Sequence, residues 1–335
     1  MFSFVGILKK QWTMRESVKF QRIFRWARYH PTMEESMHIG RSTALITLLI
    51  VTPSICQAAL SEQQRAKIDQ ITGAKGSYTE SEDVHKVTFP RTDLKVTIDG
   101  WAMHPFMGLT SWAAFTSHGD QVMVMGDLTL AEDEVNPVMS VALESGLEVA
   151  ALHNHFFFDN PKIMFMHIGG MGDLNQLASA VRKAVDKVRE IRTASPTPVP
   201  SFPGPPIAEK NSITSGPIEE ILGVKGQSQG GMYKVTIGRE ATAHGQSVGN
   251  QMGVNTWAAF AGSDDNAVVD GDFAMLASEM QDVLKALRGA GINIVAIHNH
   301  MTHEEPTYYF LHYWGKGKAA DLARAVKSAL NAQSR

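Results

Sequence analysis

Two hydrophobic periods alternate along the chain. Residues 96–98, 112–116 and 122–125 alternate apolar and polar positions and predict strands, with His118-Gly119-Asp120 as the turn between the last two. Residues 132–145 switch to a helical period. Their first turn is acidic, Val135, Val138, Met139 and Ala142 share one face, and Gly146 stops the run. Residues 147–153 and 162–168 return to strand character. Residues 173–191 predict a long amphipathic helix with Leu174, Leu177, Ala178, Val181, Val185 and Val188 on one side. The order β-β-β-α-β-β-α predicts an α+β unit, a mostly antiparallel sheet with two helices on one face.

The same pattern occurs twice. Residues 112–181 align with 257–326 at a constant offset of 145, without a gap and with 24 identities in 70 positions. Trp112-Ala113-Ala114-Phe115 matches Trp257-Ala258-Ala259-Phe260, and Gly126-Asp127 matches Gly271-Asp272. Glu134 matches Glu279, and His153-Asn154-His155 matches His298-Asn299-His300. Pro161, His167, Gly170 and Gly172 match Pro306, His312, Gly315 and Gly317. Upstream, Lys95-Val96-Thr97-Ile98 has the same letters as Lys234-Val235-Thr236-Ile237. So long a period fits two tandem domains rather than a solenoid. The expected division is 59–192, a proline-rich linker over 193–217, and 218–335. The linker holds seven of the fourteen prolines, a composition that stays extended. Two such copies can pack as a pseudo-dimer about an approximate two-fold axis; whether their sheets join is open at this level.

The first 58 residues read as an address. Residues 43–55 are apolar but too short to span a bilayer, with Arg41 ahead and Cys56-Gln57-Ala58 behind. That predicts signal cleavage after Ala58, a periplasmic or secreted mature protein, and no membrane span thereafter. Basic residues 1–36 precede the signal, which makes Met37 the expected initiator. Cys56 is the single cysteine, so a disulfide framework and a cysteine-rich zinc site are both excluded. The whole chain carries a formal charge of -3; without the first 58 residues it holds 23 basic against 31 acidic side chains, which argues against nucleic acid as a partner.

The combination of W-A-A-F, G-D, E-D-E-V-N-P-V-M, A-L-H-N-H and M-H-I with nearby glycines resembles the LppY/LpqO family, over roughly residues 60–335. These are secreted bacterial proteins with a duplicated domain of uncharacterised role. The resemblance implies secretion and duplication and supplies no reaction.

The candidate chemistry lies in the matched histidines. On a strand His153 and His155 face the same way, and His167 on the next strand can come alongside. Six of the chain's thirteen histidines are His153, His155, His167, His298, His300 and His312, three matched pairs. Three imidazoles and a carboxylate suit a divalent transition metal, zinc first. The carboxylate candidates are Glu134 with Glu279, read as a general base or fourth ligand, and Asp159 with Glu304. Asp127 and Asp272 read as turn or helix-entry residues with a supporting role at most. Trp112, Trp257 and the methionines 123, 125, 164 and 166 read as core. Three functions follow: a module binding a metal or small polar ligand, a metal-dependent hydrolase using metal-bound water, or hydrogen-bonded structural histidines. Whether the protein is an enzyme is left open.

Overall fold

The computed structural model describes residues 59–333. The signal-like segment and Met37 lie outside them. Each repeat opens with a short helix, α1 over Glu62–Thr72, which the hydrophobic pattern did not predict. Ser61 caps it by accepting a bond from the Gln64 N–H, and Gly73 closes it in the left-handed conformation at φ 69°. The rest of the first repeat runs β1 (Ser77–Thr79), β2 (Val84–Pro90), β3 (Thr97–Ile98), β4 (Trp101–Ala102), β5 (Thr110–His118) and β6 (Gln121–Ala131). It continues with α2 (Glu132–Glu144), β7 (Glu148–His153), β8 (Asp159–Asn160), β9 (Ile163–Gly172) and α3 (Leu174–Ala194). The second repeat begins with α4 (Ser215–Leu222), β10 (Gln227–Gln229), β11 (Met232–Gly238), β12 (Ala241–Ala243) and β13 (Gln246–Val248). It ends with β14 (Asn255–Ser263), β15 (Asn266–Leu276), α5 (Ala277–Gly289), β16 (Asn293–His298), β17 (Glu304–Glu305), β18 (Tyr308–Gly317) and α6 (Ala319–Ala332). The α+β expectation holds, with three helices per repeat rather than two.

The two sheets join. Twelve strands form one sheet in the order β1-β2-β5-β6-β9-β7-β16-β18-β15-β14-β11-β10, antiparallel throughout. The junction is β7 against β16, paired at Leu152 and Ile297. Those two residues are equivalent in the repeat, so the approximate two-fold axis passes through their pairing. One upstream match changes. The ladders put Lys86-Val87-Thr88 opposite Ala114, Ala113 and Trp112, and Lys234-Val235-Thr236 opposite Ala259, Ala258 and Trp257. The partner of Lys234–Ile237 is therefore Lys86–Phe89. Of Lys95–Ile98, only Thr97 and Ile98 form a strand, β3, and it lies in a small side sheet of β4, β3 and β8.

One apolar core unites both repeats. Ile68, Val135, Leu177, Ile218, Val283 and Leu322, one from each helix, pack with strand residues such as Phe115, Val124, Leu152, Phe260 and Leu311. Because side chains alternate along a strand, the intervening residues face away from the helices. That open face carries Trp112, Met123, Met125, Asp127, His153 and His167. Met123 and Met125 are exposed, and Trp112 and Trp257 are only partly buried, with Lys86 and Lys234 over their rings at 4.1 and 3.9 Å. The core reading of these four residues is thus corrected: their strands bury the alternate positions. Among the described residues no helix is long and apolar enough to cross a membrane.

The junction of the repeats is held by reciprocal amide clamps. The β7–β16 ladder has a single pair, so Val149 and Ile294 cannot satisfy their backbone groups there. Asn136 of α2 accepts from the Ile294 N–H at 2.7 Å and donates to its carbonyl at 3.1 Å. Gln281 of α5 does the same to Val149, both bonds at 3.0 Å. Asn136 and Gln281 are equivalent positions, as are Val149 and Ile294. Alanine at either clamp strands a buried N–H and C=O together, so Asn136→Ala and Gln281→Ala should each cost about 1–3 kcal/mol. Urea unfolding checks this, and unchanged midpoints would show that the clamps add nothing to stability.

Candidate metal centre

The open face gathers the histidines because their strands are in register. On β9, His167 lies opposite Asp127 of β6 and Ala151 of β7, while Phe165 lies opposite His153. In the second repeat His312 lies opposite Asp272 and Ala296, and Phe310 opposite His298. His155 and His300 lie just past their strand ends. Each is held flat on a phenyl ring, His155 on Phe165 with centroids 3.4 Å apart and His300 on Phe310 at 3.5 Å. Those phenylalanines sit in two small satellite cores, one with Ile98 of the β4-β3-β8 sheet and one with Ala241 and Val248 of its counterpart, the β13-β12-β17 sheet. The two aromatics thus turn the last histidine of each H-N-H back over the sheet.

The second repeat is the more convergent. One ligand atom each from Asp272, His298 and His300 lie within 4.8 Å of one another. His300 Nε2 is 3.0 Å from Asp272 Oδ2, and its Nδ1 meets the Gly253 carbonyl at 3.2 Å. A carbonyl partner on one ring nitrogen leaves the other to face the shared point. His312 stacks on His298 with centroids 4.8 Å apart. Burial and the neighbouring His312 and His300 hold His298 down at about 4, so its imidazole is neutral at pH 7, the form that binds metal. Burial pushes Asp272 up, and the two imidazoles His312 and His300 pull it back. Asp272 Oδ1 and His298 Nδ1 are buried without a hydrogen-bond partner. Buried polar atoms are nearly always satisfied, so these two suit coordination to a cation.

The first repeat has the same set in a looser arrangement. His153 and His167 face each other Nε2 to Nε2 at 3.0 Å, and His153 stacks against His155 with centroids 5.1 Å apart. Burial and the adjacent His153 hold His155 below its usual value. Asp127 is buried, and its Oδ1 has no partner. The residues fit a borderline divalent ion of the zinc type: nitrogen donors, one carboxylate and no sulfur.

The carboxylate at the histidines is therefore Asp127 or Asp272, which read from sequence as a turn residue. Each sits mid-strand beside a glycine that accommodates a close neighbour. A Cβ on Gly271 would lie 2.1 Å from the Tyr313 ring, and one on Gly126 would lie 2.6 Å from the Trp112 carbonyl oxygen. The signal was present in the matched Gly-Asp; the ladder to His167 and His312 was needed to read it. Glu134 and Glu279 are elsewhere. Glu134 is fully buried at the start of α2, takes two bonds from Arg91 at 2.8 Å, and accepts the Ala131 N–H at 2.7 Å. Glu279 repeats this with Arg239 at 2.7 and 3.0 Å and the Leu276 N–H at 2.8 Å. Their match between copies reflects a helix cap tied to an arginine, which corrects the general-base reading. Asp159 and Glu304 accept from the backbone N–H of Ile163 and Tyr308 and also stand outside the cluster.

The two sets are neighbours. His153 and His298 each directly follow a member of the Leu152–Ile297 pair, so both clusters flank the junction of the repeats.

A family model described as Domain of Unknown Function (DUF1259) matches the chain twice, over residues 66–187 and 216–332. The chain belongs to that family. The two DUF1259 matches carry one histidine-aspartate set each. No curated protein matches this DUF1259 chain. Among solved structures it is similar to the trimeric bacterial microcompartment shell protein PduB, at 12% identity over 77% of this chain and 89% of that one, with a TM-score of 0.21. It is also similar to EtuB from Clostridium kluyveri, at 11% identity over 77% and 90%, with a TM-score of 0.20. Scores of this size do not establish a shared fold.

Proposed function

We propose that this DUF1259 protein is a metal-binding module of the LppY/LpqO type, working in the periplasm or outside the cell. It takes a divalent transition metal, zinc first, at Asp272, His298, His300 and His312, and a second ion at Asp127, His153, His155 and His167. The observation that carries the reading is the convergence of Asp272, His298 and His300 to within 4.8 Å, beside buried Asp and His atoms that lack partners. Its partners are metal or small polar ligands, in keeping with the acidic charge of residues 59–335. A hydrolase reading has one feature in its favour: His155 and His300 are exposed on the open sheet face, where water can reach an ion. It lacks the general base expected of Glu134 and Glu279, which are held by arginines. Binding is therefore the better supported role.

Metal content of the chain purified without a histidine tag, measured by mass spectrometry after zinc reconstitution, is the test. His298→Ala/His300→Ala should remove the second-repeat ion and His153→Ala/His155→Ala the first. A wild-type protein that takes up no metal would overturn the proposal and leave the histidines a structural role.

A further inference from the structure

A cavity lies on the helix side of the sheet, on the opposite face from the histidines. It has a volume of about 720 Å³ and is covered by the chain that leads out of α3. Ile191, Pro137, Val199 and Phe202 give it apolar walls. The covering segment is held down by Asp133, whose carboxylate accepts the Val199 N–H at 2.9 Å and pairs with Arg192. This volume falls in the range of small-molecule sites.

Arg288, at the C-terminal end of α5, also lines the cavity. Its guanidinium donates to Ser140 Oγ at 3.1 Å, the Ile292 carbonyl at 2.7 Å and Asn293 Oδ1 at 3.2 Å. These bonds fix the side chain with neutral acceptors. Among the described residues no carboxylate forms an ion pair with it, in contrast with Arg91, Arg182, Arg189, Arg192, Arg239 and Arg324. Burial without an anion pulls its pKa down to about 10. The cavity's own acids do not supply the missing charge: Asp133 is engaged by Arg192, and Glu132 is exposed. The equivalent residue in the first repeat is Leu143, so the duplicated fold does not require an arginine here.

An oriented, partly desolvated cation without a counterion, at the wall of an apolar chamber, has a defined complement. We infer that this cavity binds an amphipathic monocarboxylate, its head on Arg288 and its hydrocarbon portion against Ile191, Val199 and Phe202. Nε and Nη1 are taken by Ser140, Ile292 and Asn293, so a carboxylate accepts charge-assisted bonds from Nη2, and the apolar walls favour an aliphatic chain over a polar metabolite.

Isothermal titration of the full chain with sodium decanoate, below its micelle threshold and with a chelator present, tests this. The chelator removes any carboxylate bound through metal on the open face. Decanoate is expected to bind, with 1-decanol weaker by about tenfold or more because it forms no charge-assisted bond. Arg288→Gln should weaken decanoate by a similar factor. Val199→Trp fills the cavity from the exposed covering segment and should weaken binding by at least as much, which keeps the test decisive should the arginine variant fold poorly. No binding of decanoate, equal binding of decanol, or undiminished binding by Val199→Trp would each overturn the assignment. His298→Ala/His300→Ala should bind decanoate like the wild type, which separates this site from the metal proposal.

Discussion

Replacing Arg91 with methionine is expected to lower stability by about 3–5 kcal/mol, because it leaves the Glu134 carboxylate buried without its main partner. The Arg91 and Glu134 side chains are 6% and 0% exposed and share two bonds of 2.8 Å. Arg192 Nε lies 2.8 Å from the same carboxylate, within ion-pair distance but not aimed along a hydrogen bond. It is a poor substitute for Arg91. The matched pair in the second repeat is more open, with Arg239 and Glu279 side chains 23% and 12% exposed. Arg239→Met should therefore cost only about 1–2 kcal/mol. Urea unfolding of the two variants measures the contrast. Metal uptake should be unchanged in both, since neither pair touches the histidines. Equal and small losses would mean that the buried network does not hold the fold; lost metal would restore Glu134 as a ligand.

Asp272→Asn is expected to weaken metal at the second-repeat site by about 100-fold, or about 2.7 kcal/mol, while leaving the metal-free fold intact. Asparagine keeps the volume and loses the charge and one anionic oxygen. Burial already penalises that charge in the absence of a cation. The metal-free variant should accordingly be no less stable than the wild type, a result opposite in sign to that at Arg91. Competition with a chromogenic zinc chelator gives the affinity, and thermal unfolding of the metal-free protein gives the stability. Unchanged affinity would remove Asp272 from the ligand set and leave only imidazoles there. Asp127→Asn provides the parallel measurement in the first repeat.

Much of this architecture was legible from pattern. The main strands and long helices announced themselves by period, and the constant offset of 145 fixed the repeat. What failed had local causes. α1 is short and carries only Ile68 and Thr72 as buried residues, too few for an amphipathic signature. Lys95–Ile98 has four letters in common with Lys234–Ile237, one more than Lys86–Phe89 has; only strand pairing separates the coincidence from the equivalence. Glu134 and Asp127 were both matched between copies, and matching cannot tell a helix cap from a residue of the histidine cluster. The distinction lies in which strand edge each residue meets. Asp127 faces His167 across a ladder, and Glu134 meets an arginine 43 positions away. The sheet's continuity through Leu152 and Ile297 was also beyond reach, since a single pair leaves no periodic trace.

The amide clamps place two equivalent halves around one axis inside a single polypeptide. A protein assembled from two identical subunits would receive every substitution twice, once on each side. Here each side changes alone. Arg288 faces a chamber where its counterpart is Leu143, and Phe157-Phe158 occupies the loop position that is Thr302-His303 in the other half. Fusion has released the copies from enforced symmetry. One can keep the tighter histidine cluster while the other alters its surroundings, and two unlike ligands can be served by a scaffold that arose from one design.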